Sequence, residues 1–445
     1  MTSDARGHPE NQTSLKRRAI QGSLWTLGGY GATQIFRLGG NLVLTRLLTP
    51  DAFGLMALVQ TFLTGLQLFS DFGVLPNLVH SKRGEEPNFL NTAWTLQVIR
   101  GALLWLGACL LAVPIAQFYR EPLLTQLLPI TGLTAIISGF ASTKLAIANR
   151  HLALKRLTIL EIATTFLSLL IMAALAWIYR SVWALVAGNL IGTLLKTIAS
   201  HWWFKGEPNR FCWDQSALKE IQQFGRWILV SSIIGFWALQ SDRLILGQLL
   251  DVRFLGIYTI ALNLSSLGEQ VVEQVNSKVL FPSYAELIRE RPEALYRNLR
   301  SARIILLLLS TVFTLGFVLG GTSLINLLYD ERYREAGWIL RILSIGLLGR
   351  VLSTTYGDIL IARGMTFTTM TLTVTGTCIQ FTMMLFGYFL GGYPGIIIGI
   401  AATEWITYIV YAFCFAKLSL WQPELDIFVI ALAAGLSTAL YFDIN

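Results

Sequence analysis

The chain has 445 residues, of which 54% are hydrophobic and only 13% charged, against about 25% charged in a soluble globular protein. So few charges cannot wet the surface of a water-soluble protein, and the mean hydropathy of +0.58 points to a polytopic membrane protein. The net charge of +8 does not indicate a nucleic-acid partner, because the basic residues are scattered over short loops between apolar runs.

In chain order, residues 1–22 form a polar arm without the features of a cleavable signal peptide. A helix needs about 20 mostly apolar residues to cross the hydrocarbon. Such runs fall at 23–47, 53–79, 91–118, 123–148, 157–179 and 182–204. After a polar linker, 205–223, a second set follows at 224–250, 256–281, 303–328, 336–362, 367–390 and 395–415. The pattern predicts an all-α protein of twelve spans in two lobes, 23–204 and 224–415, with a C-terminal tail at 416–445. Within that tail the apolar run 427–442 is short, and it is either a thirteenth span or an interfacial helix. The segment 284–302 interleaves Arg289, Arg291, Arg297 and Arg300 with glutamates and apolar residues. It reads as an amphipathic helix lying on anionic headgroups, and the basic run is taken to extend to Arg303.

Orientation follows from the basic residues. With the N-terminus inside, Lys16, Arg17, Arg18, Lys82, Arg83, Arg150, Lys155, Arg156 and their counterparts in the second half lie on the cytoplasmic side. The opposite side then holds only Arg46, Arg120, Arg180, Arg253, Arg332 and Arg334. This predicts a cytoplasmic N-terminus. The short outer loops leave no room for a catalytic domain.

The two halves match at an offset of 202 positions: Trp25 with Trp227, Leu42 with Leu244, Gly54 with Gly256, and acidic Asp71 with acidic Glu273. Each pairing is weak alone, but together they cover a helix, a tight turn and the next helix. Two six-helix halves in one orientation form a parallel repeat, an arrangement that supports alternating access.

Ionisable groups deep in a span are costly and normally face a polar cavity. The cationic candidates are Arg37, in a glycine-rich stretch, Arg243, Arg350, and, at intermediate depth, Arg100 and Lys196. The acidic candidates are Asp71, Asp242, Glu269, Glu273, Asp358 and Glu404, of which Glu269 and Glu273 are spaced i, i+4 on one helix face. One reading is a cationic cavity for an anionic solute, with carboxylates that carry a proton or hold a sodium ion. The other is a set of interhelical salt bridges, for instance Arg37 with Asp71. Arginine suits phosphate because its fork donates two parallel hydrogen bonds. The four cysteines (Cys109, Cys212, Cys378, Cys414) fit no zinc or redox spacing. No metal-ligand, nucleotide-binding or nucleophile motif occurs, so neither a metal nor another cofactor is expected.

The stretch NLVLTRLLTPDAFGLMALV at Asn41–Val59, running on to FSDFG at Phe69–Gly73, resembles the bacterial polysaccharide exporters. These are the lipid-linked oligosaccharide flippases of the multidrug/oligosaccharidyl-lipid/polysaccharide (MOP) exporter superfamily. The likeness continues at Pro114–Tyr119 and in DRLILG at Asp242–Gly247. The resemblance implies a V-shaped, MATE-like two-lobe transporter of the bacterial inner membrane. It would move undecaprenyl-diphosphate-linked oligosaccharide, a precursor of exopolysaccharide, O-antigen or capsule, from the cytoplasmic to the periplasmic leaflet, with a proton or sodium gradient as driver. By the same resemblance the arginines hold the diphosphate or acidic sugars while the polyprenyl tail stays among membrane lipids, and a polymerase and glycosyltransferases are candidate partners. Two other readings stay open: a MATE-like multidrug or cation antiporter, and a membrane glycan polymerase or ligase. The first calls for an acidic, aromatic cavity, and the second for a large outer loop.

Overall fold

The computed structural model describes residues 9–81, 83–276 and 295–444, with positions 280, 283, 284, 287 and 288 between them. Among these residues there are helices and no strands: α1 (Pro9–Leu47), α2 (Pro50–Phe69), α3 (Val74–His80), α4 (Pro87–Tyr119), α5 (Leu124–Gly139), α6 (Lys144–Arg150), α7 (Leu154–Tyr179) and α8 (Trp183–Trp202). After the linker come α9 (Gln215–Leu249), α10 (Val252–Val275), α11 (Leu295–Leu328), α12 (Ala336–Ala362), α13 (Thr366–Lys417) and α14 (Pro423–Ile444).

Several expected boundaries shift for local reasons. Residues 9–22 of the polar arm are helical and continuous with the first span. The run 53–79 is broken after Phe69, where Gly73 turns the chain at φ 60°, a conformation glycine adopts without steric cost. The run 123–148 is α5 and α6 meeting at a 61° bend. The 52-residue α13 is too long for one crossing and is bent back on itself at Gly391 and Gly392. Its two arms touch backbone to backbone: a Cβ at Gly387 would stand 2.1 Å from the Gly395 carbonyl oxygen, and one at Gly399 would stand 2.3 Å from that of Met383. The constant sum of these paired numbers is an antiparallel hairpin, which matches the predicted spans 367–390 and 395–415. The apolar run 427–442 lies in α14, a helix long and apolar enough to span. Among the described residues nine helices meet that description, or ten with the bent α5–α6 pair as one span, and α1 and α10 are not among them. Of the predicted interfacial segment 284–302, residues 285, 286 and 289–294 lie outside the described residues, and 295–302 are the first turns of α11.

By its contacts the chain forms two units, Met1–Leu48 with Phe62–Ser232, and Thr49–Thr61 with Ile233–Asn445. In the first, α1 packs on α7, α7 on α8, and α5 on both α4 and α8. Lipid gives helices no hydrophobic drive to associate, so close approach depends on small residues. Here a Cβ at Gly101 would lie 2.4 Å from the Ala135 carbonyl oxygen and one at Gly139 2.8 Å from that of Gln97, so α4 and α5 run antiparallel in contact. In the second unit α12 is the most enclosed span, packed on α10, α11, α13 and α14. The start of α2 joins this unit, and here the repeat-matched glycines meet. A Cβ at Gly54 would stand 1.9 Å from the Val252 carbonyl oxygen, and one at Gly256 1.9 Å from that of Pro50.

Outside the spans the linker is strapped along α4. The Arg210, Cys212 and Asp214 amides donate to Asn91 Oδ1 (3.0 Å), Thr95 Oγ1 (3.1 Å) and Thr92 Oγ1 (3.0 Å). Asp214 then caps α9, accepting from the Ser216 amide at 2.8 Å and the Ser216 hydroxyl at 2.9 Å. The amide bond first, then the hydroxyl bond and the Arg83 guanidinium hold the Asp214 carboxyl below its ordinary 3.8. A carboxyl lowered in the folded state contributes stability above its unfolded pKa and loses it as pH falls. The strap should therefore hold at neutral pH and loosen below about pH 4. Hydrogen-exchange protection factors for residues 205–214, corrected for intrinsic rates, should fall over that range in the wild type and be low at every pH in Asp214→Ala.

Candidate functional site

The first unit contains a polar cavity of about 530 Å³. Its wall is rich in hydroxyls and amides, among them Gln97 from α4, Thr164 and Ser168 from α7, and Asn189 and Thr193 from α8. Arg37 reaches it from α1 and Lys196 from α8, so two of the five predicted cations share one space. Their states differ. Arg37 is exposed and has no ion-pair partner among the described residues. Lys196 Nζ donates to Glu161 Oε2 of α7 at 2.5 Å, and both side chains remain accessible, at 45% and 42%. Glu161 was not among the sequence candidates. It follows Lys155 and Arg156 near the start of its helix, where charge reads as interfacial.

Arg100 and Asp71 lie elsewhere in this unit, at the end of α2. Arg100 Nε donates to Ser70 Oγ at 2.9 Å and Nη2 to the Gln67 carbonyl at 2.6 Å, with Nη1 3.7 Å from Asp71 Oδ1. The guanidinium thus satisfies carbonyl and hydroxyl groups at a helix C-terminus, where a cation is favoured. Asp71 in turn accepts from the Gly73 amide at 2.9 Å. The example given for the salt-bridge reading, Arg37 with Asp71, is not formed; Asp71 meets Arg100 instead, because α1 packs along α7 and α4 carries the nearer arginine.

In the second unit Arg350 of α12 lies between two carboxylates. Its Nη1 is 2.9 Å from both oxygens of Glu269 on α10, and its Nε and Nη2 donate to Glu404 Oε1 at 3.0 and 2.5 Å. Three charges from three helices make a cluster of net charge −1, beside a pocket of only about 40 Å³. Glu273, one turn on from Glu269, is exposed and outside this cluster. Asp242 and Arg243 diverge around α9. Asp242 is buried and accepts from the Tyr258 hydroxyl at 2.5 Å through Oδ2, while its Oδ1 has no partner among the described residues. Arg243 Nη1 donates to Gln240 Oε1 at 2.7 Å, and that oxygen also accepts from Thr61. Asp358 lies on α12, but its side chain is outside the described residues.

A second ionic centre in this unit was not visible in the sequence. Arg303 is completely buried, and its Nη2 donates to Asp426 Oδ1 at 2.6 Å. The other Asp426 oxygen accepts from Tyr356, Tyr408 and Trp421 at 3.0, 2.8 and 3.1 Å. Arg303 therefore does not lie on headgroups as the basic run suggested. It ties α11 to the first turn of α14, stacked 4.0 Å over the Tyr356 ring.

Residues 43–338 match the model of the family described as "Polysaccharide biosynthesis protein". The chain belongs to this family. It is 20% identical to the lipopolysaccharide biosynthesis protein WzxC of Escherichia coli K12 over 95% of this chain and 89% of that one. It is 22% identical to the teichuronic acid biosynthesis protein TuaB of Bacillus subtilis (79% and 72% covered) and 21% identical to the succinoglycan biosynthesis transport protein ExoT of Rhizobium meliloti (68% and 61% covered). Among solved structures, the lipid II flippase MurJ in an inward closed conformation superposes with a TM-score of 0.72 over 95% of this chain and 92% of its own, at 12% identity. An inward-facing multidrug MATE transporter of the MOP superfamily gives 0.70 over 91% and 96%, at 13% identity. The chain shares its fold with both of these structures. This member of the polysaccharide biosynthesis family is a multi-pass membrane protein.

Proposed function

We propose that this polysaccharide-family transporter flips a lipid-linked oligosaccharide from the cytoplasmic to the periplasmic leaflet of the bacterial inner membrane, with its N-terminus in the cytoplasm. The observation that carries this reading is the polar cavity of the first unit, where a guanidinium with no ion-pair partner among the described residues shares a wall of hydroxyls and amides with the Lys196–Glu161 pair. Arg37 offers a fork suited to a phosphate or diphosphate. Thr164, Ser168, Asn189 and Thr193 offer the mixed donors and acceptors that sugar hydroxyls need. The polyprenyl tail needs no cavity and remains in lipid. A cluster such as Glu269–Arg350–Glu404, one negative charge in excess, attracts a proton or a sodium ion, which supports coupling to an ion gradient. Relatives named for lipopolysaccharide, teichuronic acid and succinoglycan biosynthesis support a glycan cargo for this chain.

Depletion of the protein in its own host tests the reading. Lipid-linked glycan should accumulate on the cytoplasmic leaflet, inaccessible to a membrane-impermeant glycosidase added to intact spheroplasts. Unchanged periplasmic delivery after depletion overturns it.

A further inference from the structure

The Lys196–Glu161 pair forms part of the cavity wall without closing off the cavity. Both side chains are more than two-fifths accessible and both line the same space as Arg37. The charged groups facing Glu161 are Lys196 from α8 and Arg37 from α1. The walls supplied by α4 and α5 present Gln97 and Ser138, which do not titrate. Lys144 of α6 is turned away, donating to the His201 carbonyl at 3.1 Å. Among the described residues Glu161 therefore has one cation within ion-pair distance, and Lys196 has one anion.

We infer that Glu161 and Lys196 form a proton-gated anion site, in which a carboxylate-bearing sugar of the cargo replaces Glu161 as the partner of Lys196 and Glu161 takes up a proton. The inference rests on the cavity being the cargo site. The Lys196 ammonium has three donors, but a second carboxylate on it would stand beside Glu161 with like charge against like charge. With the cargo's phosphate on Arg37, a second anion drawn to Lys196 either is repelled by Glu161 or displaces it. A displaced Glu161, facing the newcomer's negative charge, is relieved when a solvent proton adds to one of its carboxyl oxygens. No covalent bond to the cargo forms or breaks. Occupied and empty states then differ by one bound proton, so affinity for an acidic sugar rises as pH falls, by at most about tenfold per unit. A neutral sugar hydrogen-bonds to the intact pair and carries no such dependence.

The test uses the full chain in lipid nanodiscs, with a glucuronyl-glucose disaccharide and neutral cellobiose as probes. Binding is read by ligand-observed NMR between pH 8 and pH 5. In the wild type the acidic probe should bind more tightly toward low pH, by several fold or more over the range, while cellobiose stays flat. Glu161→Gln keeps the shape and removes the carboxylate. It should bind the acidic probe as tightly at pH 8 as at pH 5, and more tightly than the wild type at pH 8. Lys196→Gln should bind the acidic probe more weakly at every pH, at the level that Arg37 alone supports. Thermal midpoints of both variants establish that they are folded. A wild-type pH slope that persists in Glu161→Gln overturns the gate and leaves the cavity as a cargo site. Failure of the wild type to bind either probe overturns the cavity reading and this inference together.

Discussion

Replacing Asp426 with alanine should cost about 3–5 kcal/mol of stability, the penalty for leaving a buried charge without its partner. Arg303 has no exposed surface and, among the described residues, one carboxylate within reach, so removing that carboxylate strands a guanidinium among Thr355, Tyr356 and Gln422. The loss is wider than one pair, because Tyr356, Tyr408 and Trp421 all donate to the same Asp426 oxygen. The expected signature is a lower unfolding midpoint in detergent, with α14 the first element to become accessible to protease. Removing both charges with residues of similar bulk, as in Arg303→Met with Asp426→Leu, should recover much of the loss, since a buried pair gains little over apolar packing. Equal midpoints for the wild type and Asp426→Ala would show that α14 is held by its apolar face alone.

Arg350→Ala should also destabilise, by about 2–3 kcal/mol, below the fully buried figure because the guanidinium is partly accessible and partly screened. Without the arginine, Glu269 and Glu404 face each other across α10 and α13 with no cation between them. Glu269→Gln and Glu404→Gln introduced together into Arg350→Ala should restore the midpoint, because the repulsion goes with the charges. Arg350→Lys should restore only part, since an ammonium cannot serve both carboxylates with the geometry of a guanidinium fork. These three unfolding curves separate a residue that holds helices together from one that only binds cargo. A cargo residue would lose transport in Arg350→Ala with no change in midpoint.

Much of the fold could be read directly from the amino-acid sequence, because length and apolarity specify a span irrespective of what lies beside it. The spans at 367–390 and 395–415 became the arms of one hairpin, and the repeat-matched Gly54 and Gly256 proved to lie at a single backbone crossing. Which charges pair was less legible. Depth along a helix can be counted from its ends, but azimuth is decided by neighbours that the sequence does not name. Asp71 thus found Arg100 and not Arg37, and Lys196 found Glu161, a residue that looked interfacial. Arg303 and Asp426 were obscured for a related reason. Each sits next to other charged or polar residues at a helix start, a pattern shared by solvated helix ends, and only the docking of α14 turns that position into an interior. Arg37 and Lys196 did converge on one cavity, as two cations at comparable depth on α1 and α8 can when both helices pack on α7.

Reconstituted flipping tests the central claim most directly. The full chain is placed in vesicles containing undecaprenyl-diphosphate-linked oligosaccharide, and the fraction of glycan reachable by an external glycosidase is followed with time. The wild type should move the lipid, and Arg37→Ala, with an unchanged unfolding midpoint, should slow that movement at least tenfold, the equivalent of losing about 1.4 kcal/mol of charge-assisted hydrogen bonding to phosphate. Wild-type protein that leaves the glycan where it began, or Arg37→Ala that moves it at the wild-type rate, would contradict the account.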